Sequence, residues 1–202
     1  DPGRVHLWNF SPALTLSQVW NRGINLARGI GGTRALVVNN DVRLPKYLLK
    51  MLDGTMTKTG ALFVSAINGG VDADLHNDGL LISLEPHARG GPDFSCFLIS
   101  TECHNKYQFD DQFTYCNDLD YHRRMMLGGD GLKIFSVNVP YLHYASRTIV
   151  RHPGLAEVAD GHRRLYAEKW GGGVNEETWR TPWTGSGPIT FVSDPSPVTT
   201  PE

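Results

Sequence analysis

Ala35-Leu-Val-Val-Asn-Asn-Asp-Val42 decides how this chain is read: four apolar residues of strand type stop abruptly at three polar ones, Asn39, Asn40 and Asp41. In α/β proteins ligands bind beyond the carboxyl ends of the strands, so a buried strand that delivers amides and a carboxylate to a sheet edge is a candidate site for metal and phosphate. The same three residues suit a tight turn, because Asn and Asp tolerate turn geometry. Both readings stand on this segment alone.

Outward from that strand, helical and strand patterns alternate, which favours an α/β layer architecture over a bundle or a sandwich. Upstream, Arg4 to Phe10 reads as a strand. Ser11-Pro12 or Ser17 then starts a helix running to about Arg28, with Leu14, Val19, Ile24 and Leu26 as its apolar positions before Gly29. Downstream, Pro45 suits the first turn of a helix from Lys46 to Leu52 that ends at Gly54. Two short runs of strand type, Ala61 to Ile67 and Gly79 to Leu84, flank a polar loop, and Phe94 to Ser100 reads as a further strand.

The second informative stretch is Phe109-Asp-Asp-Gln-Phe followed by Asn117-Asp-Leu-Asp-Tyr-His-Arg-Arg124, a loop dense in carboxylates that enters a helix at Asn117 or Asp118. Residues two apart on a helix face different ways, so Asp118 and Asp120 have separate tasks. Asp120 has Arg123 and Arg124 three and four positions on, the spacing of an ion pair. Asp118 is either a first-turn acid facing the helix dipole or a catalytic carboxylate. A final strand, Gly131 to Val139, hands over to Pro140-Tyr-Leu-His143, which puts His143 beyond a strand end in a chain that already carries the strand-end Asp41.

Composition bounds the function classes. With 202 residues, 40% hydrophobic, and a formal net charge of −2, the chain has material for one globular core and no strong field to draw it to nucleic acid or an anionic membrane. Cys96, Cys103 and Cys116 cannot all pair internally and none forms a CxxC motif, which points to a reducing, cytoplasmic setting. No apolar run approaches the roughly 20 residues of a membrane helix.

The ordered set Trp20-Asn-Arg-Gly-Ile-Asn-Leu-Ala27, Val37-Val-Asn-Asn-Asp-Val42, Phe109-Asp-Asp-Gln-Phe113, Asn117-Asp-Leu-Asp120 with Arg123, and Pro140 through His143 to Ser146 and Thr148 resembles family 2 glycosyltransferases of the GT-A fold. In that family the pattern is an Asn-x-Gly helix, a variant Asp-x-Asp metal motif, a Phe-Asp-Glu loop, a Glu-Asp-x-Asp helix and a late His. The resemblance implies a Rossmann-like, mixed but mostly parallel sheet flanked by helices, in one domain over residues 1–183. Residues 184–202, rich in Pro, Ser and Thr, form a less regular tail.

Carried over residue by residue, the resemblance implies that Asp41 and His143 ligate a divalent cation, manganese or magnesium. Asn21, Asn39 and Asn40 would lie near the nucleotide, and Asp118 would be the general base of an inverting transfer from a nucleotide-sugar to a hydroxyl-bearing glycan, protein or lipid-linked acceptor. Gly91 and Asp93 would border donor sugar and acceptor, with Asp120 supporting the site or holding the arginines. Trp179 and Trp183 would either cover the acceptor side or anchor the C-terminal tail. The family's opening nucleotide-binding strands have no counterpart before Asp1, so a companion N-terminal segment or second chain is expected. This chain also has Asn117 where the family has an acid. A different class of function fits these departures: a catalytically silent carbohydrate-binding or assembly module. A metal-dependent hydrolase using Asp41, Asp118 and His143 is a third.

Overall fold

The computed structural model describes residues 14–69, 92–144 and 154–182, and the backbone of 84–86. In chain order the elements are α1 (Leu16–Gly29), β1 (Arg34–Val38), β2 (Val42–Arg43), α2 (Leu48–Thr59), β3 (Phe63–Asn68), β4 (Leu84–Pro86), β5 (Cys96–Ser100), α3 (Thr101–Tyr107), α4 (Asn117–Leu127), a 3₁₀ turn (Gly131–Lys133), β6 (Ile134–His143) and α5 (Gly154–Trp170). The strand expected over Arg4 to Phe10, most of that over Gly79 to Leu84, the loop residue Gly91, Ser146, Thr148, Trp183 and the tail lie outside the described residues.

The strands make a mixed α/β sheet in the order β1-β5-β3-β6-β2, with β4 also paired to β6. Only β3 and β6 pair in parallel; β1 with β5, β5 with β3, β4 with β6 and β2 with β6 are antiparallel. The expectation of a mostly parallel sheet is therefore corrected among the described strands. An apolar run of five or six residues has the same pattern in either direction, so the reversal of β5 between β1 and β3 leaves no local mark. Its consequence is nonetheless what matters: β1, β3 and β6 all point the same way, and their carboxyl ends, at Val38, Asn68 and His143, meet at one end of the sheet.

Both faces of the sheet are covered, which is why its strands read as continuous apolar runs rather than alternating ones. Successive side chains face opposite layers. Phe63, Phe97 and Ile99 pack with Trp20 and Ile24 of α1 and with Tyr121 and Met125 of α4. Val64, Cys96 and Leu98 pack with Leu48, Leu52 and Met56 of α2. A smaller cluster of Phe113, Tyr166 and Trp170 seats α5 beside the loop that precedes α4.

Element ends differ from expectation where a better cap was available. α1 begins after Thr15, whose side chain accepts from the Gln18 N–H while the Gln18 side chain accepts in return from the Thr15 N–H, a capping box that places Ser17 inside the first turn. α2 runs through Gly54 and stops at Gly60, which adopts the left-handed conformation (φ 68°) that a helix C-terminus needs. β6 starts at Ile134 and extends to His143, so the histidine is the last residue of the strand rather than a residue beyond it. Two residues at its end are held by β2, in the register Val42↔His143 and Arg43↔Leu142.

Candidate functional site

At the end of the sheet where β1, β3 and β6 finish, the chain leaving β1 and the last residue of β6 border a cavity of about 760 Å³ whose wall includes Asn39, Asn40, Asp41, Asp93, Asp118 and His143. These residues come from separate segments, so the fold alone brings them together. A second cavity of about 400 Å³, at the opposite end of the sheet around Arg34, Thr101 and Glu102, holds none of these residues.

Asp41 sits on the two-strand link that returns from β1. Pairing of β2 with β6 places its carboxylate against His143, with Oδ1 at 3.3 Å from Nε2, and the Tyr144 N–H donates to the Asp41 carbonyl at 3.0 Å. The other ring nitrogen of His143, Nδ1, lies 3.2 Å from the side-chain amide of Asn68 at the end of β3. Next to Asp41, the Asn39 N–H donates to the Ser95 carbonyl at 2.9 Å, which fixes the strand-end residues to the segment carrying Asp93. Asp93 is itself fixed: its Oδ1 accepts from the Ser95 N–H at 2.8 Å and its Oδ2 from the Tyr141 hydroxyl at 2.6 Å.

Asp118 stands in the first turn of α4, where both its own N–H and that of Leu119 reach its carboxylate. Burial pushes its pKa up and the neighbouring Asp93 charge adds to the rise, more than the two N–H groups offset. A carboxylate in a cavity with a raised proton affinity suits a general base. Cys116, immediately before the helix, holds a left-handed backbone (φ 63°), a conformation that costs a non-glycine residue about 1–2 kcal/mol and turns the chain into the cavity wall.

Other expected site residues are elsewhere. Asn21 does not line the cavity: its side chain donates to the Phe109 carbonyl at 2.7 Å and to Asp111 Oδ1 at 2.8 Å, and accepts from the Phe109 N–H at 2.9 Å. Its amide is a bracket between α1 and the carboxylate-rich loop. Asp120 is fully buried on the side of α4 away from the cavity, bound by Arg124 at 2.9 Å, Lys169 at 2.7 Å and the Trp170 indole N–H at 2.9 Å. It holds the helices together. Of the two arginines, only Arg124 pairs with it; Arg123 donates to the Trp179 carbonyl at 2.7 Å and faces Glu177. Trp179 is buried, its N–H donates to the Trp170 carbonyl, and it anchors the C-terminal segment instead of covering the cavity.

Three further contributors carry no local sequence signal or only a slight one. Asn68 is a polar residue closing an apolar strand, the same pattern that singles out Asn39 and Asn40. Tyr141 lies within a strand and orients Asp93 across the chain. His162 on α5 accepts both the Thr114 and Tyr115 N–H groups at Nδ1, at 3.1 and 3.0 Å, and so holds the loop that forms one cavity wall. Among the described residues no group of three or more His, Cys, Asp or Glu side chains is arranged to cage a metal ion, so Asp41 and His143 stand as a pair.

Compared with protein-family models, with characterised proteins and with solved structures, the chain matches none. Among the described residues no helix is long and apolar enough to cross a membrane.

Proposed function

We propose that this chain is a glycosyltransferase-type domain with a GT-A-like fold that moves a sugar from a nucleotide-sugar to an acceptor hydroxyl with inversion. The observation that carries the reading is the convergence of Asp41, His143, Asp93 and Asp118 on one cavity at the carboxyl ends of three co-directional strands.

Asp41 and His143 fit a divalent cation: an oxygen and an imidazole nitrogen 3.3 Å apart suit two neighbouring positions of one coordination shell, and the imidazole favours manganese over magnesium. When bound, such a cation neutralises the charge that grows on a departing diphosphate. The chain's own residues supply the rest. Asp118 accepts the proton of the acceptor hydroxyl as that oxygen bonds to the anomeric carbon and the bond from that carbon to the diphosphate oxygen breaks. Burial keeps the proton affinity of Asp118 high, and the charge of Asp93, which is held by Tyr141 and the Ser95 N–H, adds to it. Asn39 and Asn40 offer amide donors and acceptors to ribose or phosphate oxygens at the same rim. A companion strand, from an N-terminal segment or a second chain, belongs to this reading: among the described residues β1 pairs only with β5 and stands at the edge of the sheet.

The second reading, a carbohydrate-binding or assembly module without turnover, is favoured by the pair of protein ligands where a fuller metal cage would hold a cation before the nucleotide arrives. The deciding experiment incubates the protein with manganese, a panel of nucleotide-sugars and candidate acceptors, and measures nucleoside diphosphate release. Turnover that is lost in Asp41→Ala and Asp118→Ala supports transfer. Full activity in either variant overturns it, saccharide binding without turnover supports the module, and sugar release without acceptor supports a hydrolase.

A further inference from the structure

The cavity wall has two parts of different character. Asp41 and His143 belong to the polar part, where the Tyr141 hydroxyl also holds Asp93. The other part is apolar. Leu16, Trp20 and Phe94 come from one core cluster that surfaces in the wall, and the Ser17 N–H, donating to the Phe113 carbonyl at 3.4 Å, ties the first turn of α1 to the chain that continues as Thr114, Tyr115 and Cys116. Of the aromatic residues in this wall Trp20 and Phe94 are only 8% and 7% exposed, whereas Tyr115 is half-buried and keeps surface to offer. Tyr115 is also held in place. His162 Nδ1 accepts the Thr114 and Tyr115 N–H groups at 3.1 and 3.0 Å, and the His162 ring lies 6.0 Å from the Tyr115 ring, centre to centre, inclined at 51°. The next residue, Cys116, keeps its left-handed backbone (φ 63°), a conformation of the kind that persists where neighbours over-determine it and that clusters at ligand sites.

We propose that Tyr115 is the platform of the acceptor subsite and that the acceptor is a pyranose, which lays the C–H face of its ring on the phenol ring while one of its hydroxyls meets Asp118. This role rests on the reading of the cavity as a sugar-transfer site. Inversion brings the incoming oxygen to the face of the donor sugar opposite the departing group. With the diphosphate at Asp41 and His143, the acceptor therefore lies against the remaining wall, where Tyr115 and Asp118 stand three residues apart. A pyranose suits that pair of side chains: its C–H face is apolar and matches an aromatic ring, and its hydroxyls are polar and match a carboxylate. A straight-chain alcohol offers the hydroxyl without the ring face. Because His162 fixes Tyr115 through both backbone and ring, little further freedom is lost when a sugar settles on it, and a preorganised surface of this kind gives affinity at a low ordering cost.

The probes are the methyl α- and β-pyranosides of glucose, galactose and mannose, with pentanol as the alcohol that lacks a ring, titrated by NMR into the wild-type chain, Tyr115→Phe and Tyr115→Leu. At least one pyranoside is expected to bind wild type, with the protons of one ring face moved upfield by the ring current of Tyr115, and pentanol is expected not to bind. Tyr115→Leu is expected to raise Kd about tenfold, the worth of an aromatic contact, whereas Tyr115→Phe, which keeps the ring, retains the affinity. In turnover with the nucleotide-sugar panel, Tyr115→Leu raises the acceptor KM by the same factor and leaves the donor KM unchanged. If no pyranoside binds wild type, if a bound one shows no ring-current shift, or if Tyr115→Leu binds it as wild type does, the platform is overturned, and donor turnover in the same samples then leaves the transfer reading standing. If binding depends on Tyr115 but no donor is turned over with any acceptor, the transfer reading fails and the acceptor role falls with it. The ring-current shift is read on the wild-type chain, so it decides the matter even where Tyr115→Leu does not fold.

Discussion

Replacing Asp120 by Ala is expected to destabilise the domain by about 3 kcal/mol, and the reasoning is entirely local. The carboxylate is fully buried and satisfies Arg124, Lys169 and the Trp170 indole together. Removing one partner of a buried ion pair strands the other charge, which costs about 3–5 kcal/mol. The lower end applies here, because both cations keep other partners: Lys169 still reaches Asp110 at 2.6 Å, and Arg124 still donates to the carbonyls of Tyr107 and Gln108. For a chain of this size the loss corresponds to a fall in Tm of about 6–12 °C. Urea unfolding followed by tryptophan fluorescence measures it. Asp120→Asn, which keeps an oxygen for the indole N–H but no charge, falls between wild type and Ala. An Asp120→Ala variant within about 0.5 kcal/mol of wild type, on the scale of an ordinary surface substitution, would refute the account of α4 and α5 as locked by this carboxylate.

Three other outcomes follow from the same coordinates. His104 is buried, with neither ring nitrogen hydrogen-bonded among the described residues, and burial, reinforced by Arg28 and Arg124, lowers its pKa from 6.5 to about 4. The folded state therefore resists the proton that the unfolded state takes up, so stability falls as pH drops from about 6.5 towards 4, by about 3 kcal/mol at about 1.4 kcal/mol per pH unit; His104→Phe should flatten that slope in denaturant titrations at several pH values. His162→Ala removes the acceptor of two backbone N–H groups, which is expected to cost about 1–2 kcal/mol and to speed hydrogen exchange at Thr114 and Tyr115 ahead of the sheet amides. Asp118→Asn is expected to lower transfer by about 10²–10⁴-fold while leaving Tm equal or higher, because the folded state holds this carboxyl against ionisation. The wild-type rate should fall on the acid side with an apparent pKa above the ordinary carboxylate value.

What was legible in the sequence is what short-range pattern encodes. The run Ala35 to Val38 reads as a strand because it is a short apolar run, but not as the edge strand it is: among the described strands β1 stands at the end of the sheet, half-buried, with Val38 exposed, while Asn39 to Asp41 read as a strand-end cluster because three polar residues follow it. The different orientations of Asp118 and Asp120 follow from helical geometry alone, and the structure separates them into a cavity residue and a buried ion. Strand direction was not legible, since it is set by pairings such as Val38↔Cys96 between residues far apart in the chain. Nor was the partner of Asp120: Arg124 is four positions away, but Lys169 is on another helix and no spacing announces it. The bracket made by Asn21 with the carbonyl and N–H of Phe109 was not legible either, because a buried amide that holds a loop and one that meets a ligand leave the same letter in the same helix. Gly54 misled because a helix interior tolerates glycine at a modest cost of about 1 kcal/mol, and the chain had a better stop six residues later at Gly60.

The measurement closest to the central claim is the localisation of manganese on the folded protein by its relaxation of backbone amide signals. The account predicts that added manganese broadens the signals of Asn39 to Asp41, Asn68, Asp93 to Ser95, and His143 with Tyr144, leaves the opposite cavity around Arg34 and Glu102 sharp, and loses this pattern in the Asp41→Ala, His143→Ala double variant. Broadening centred elsewhere, or unchanged in the double variant, would contradict it.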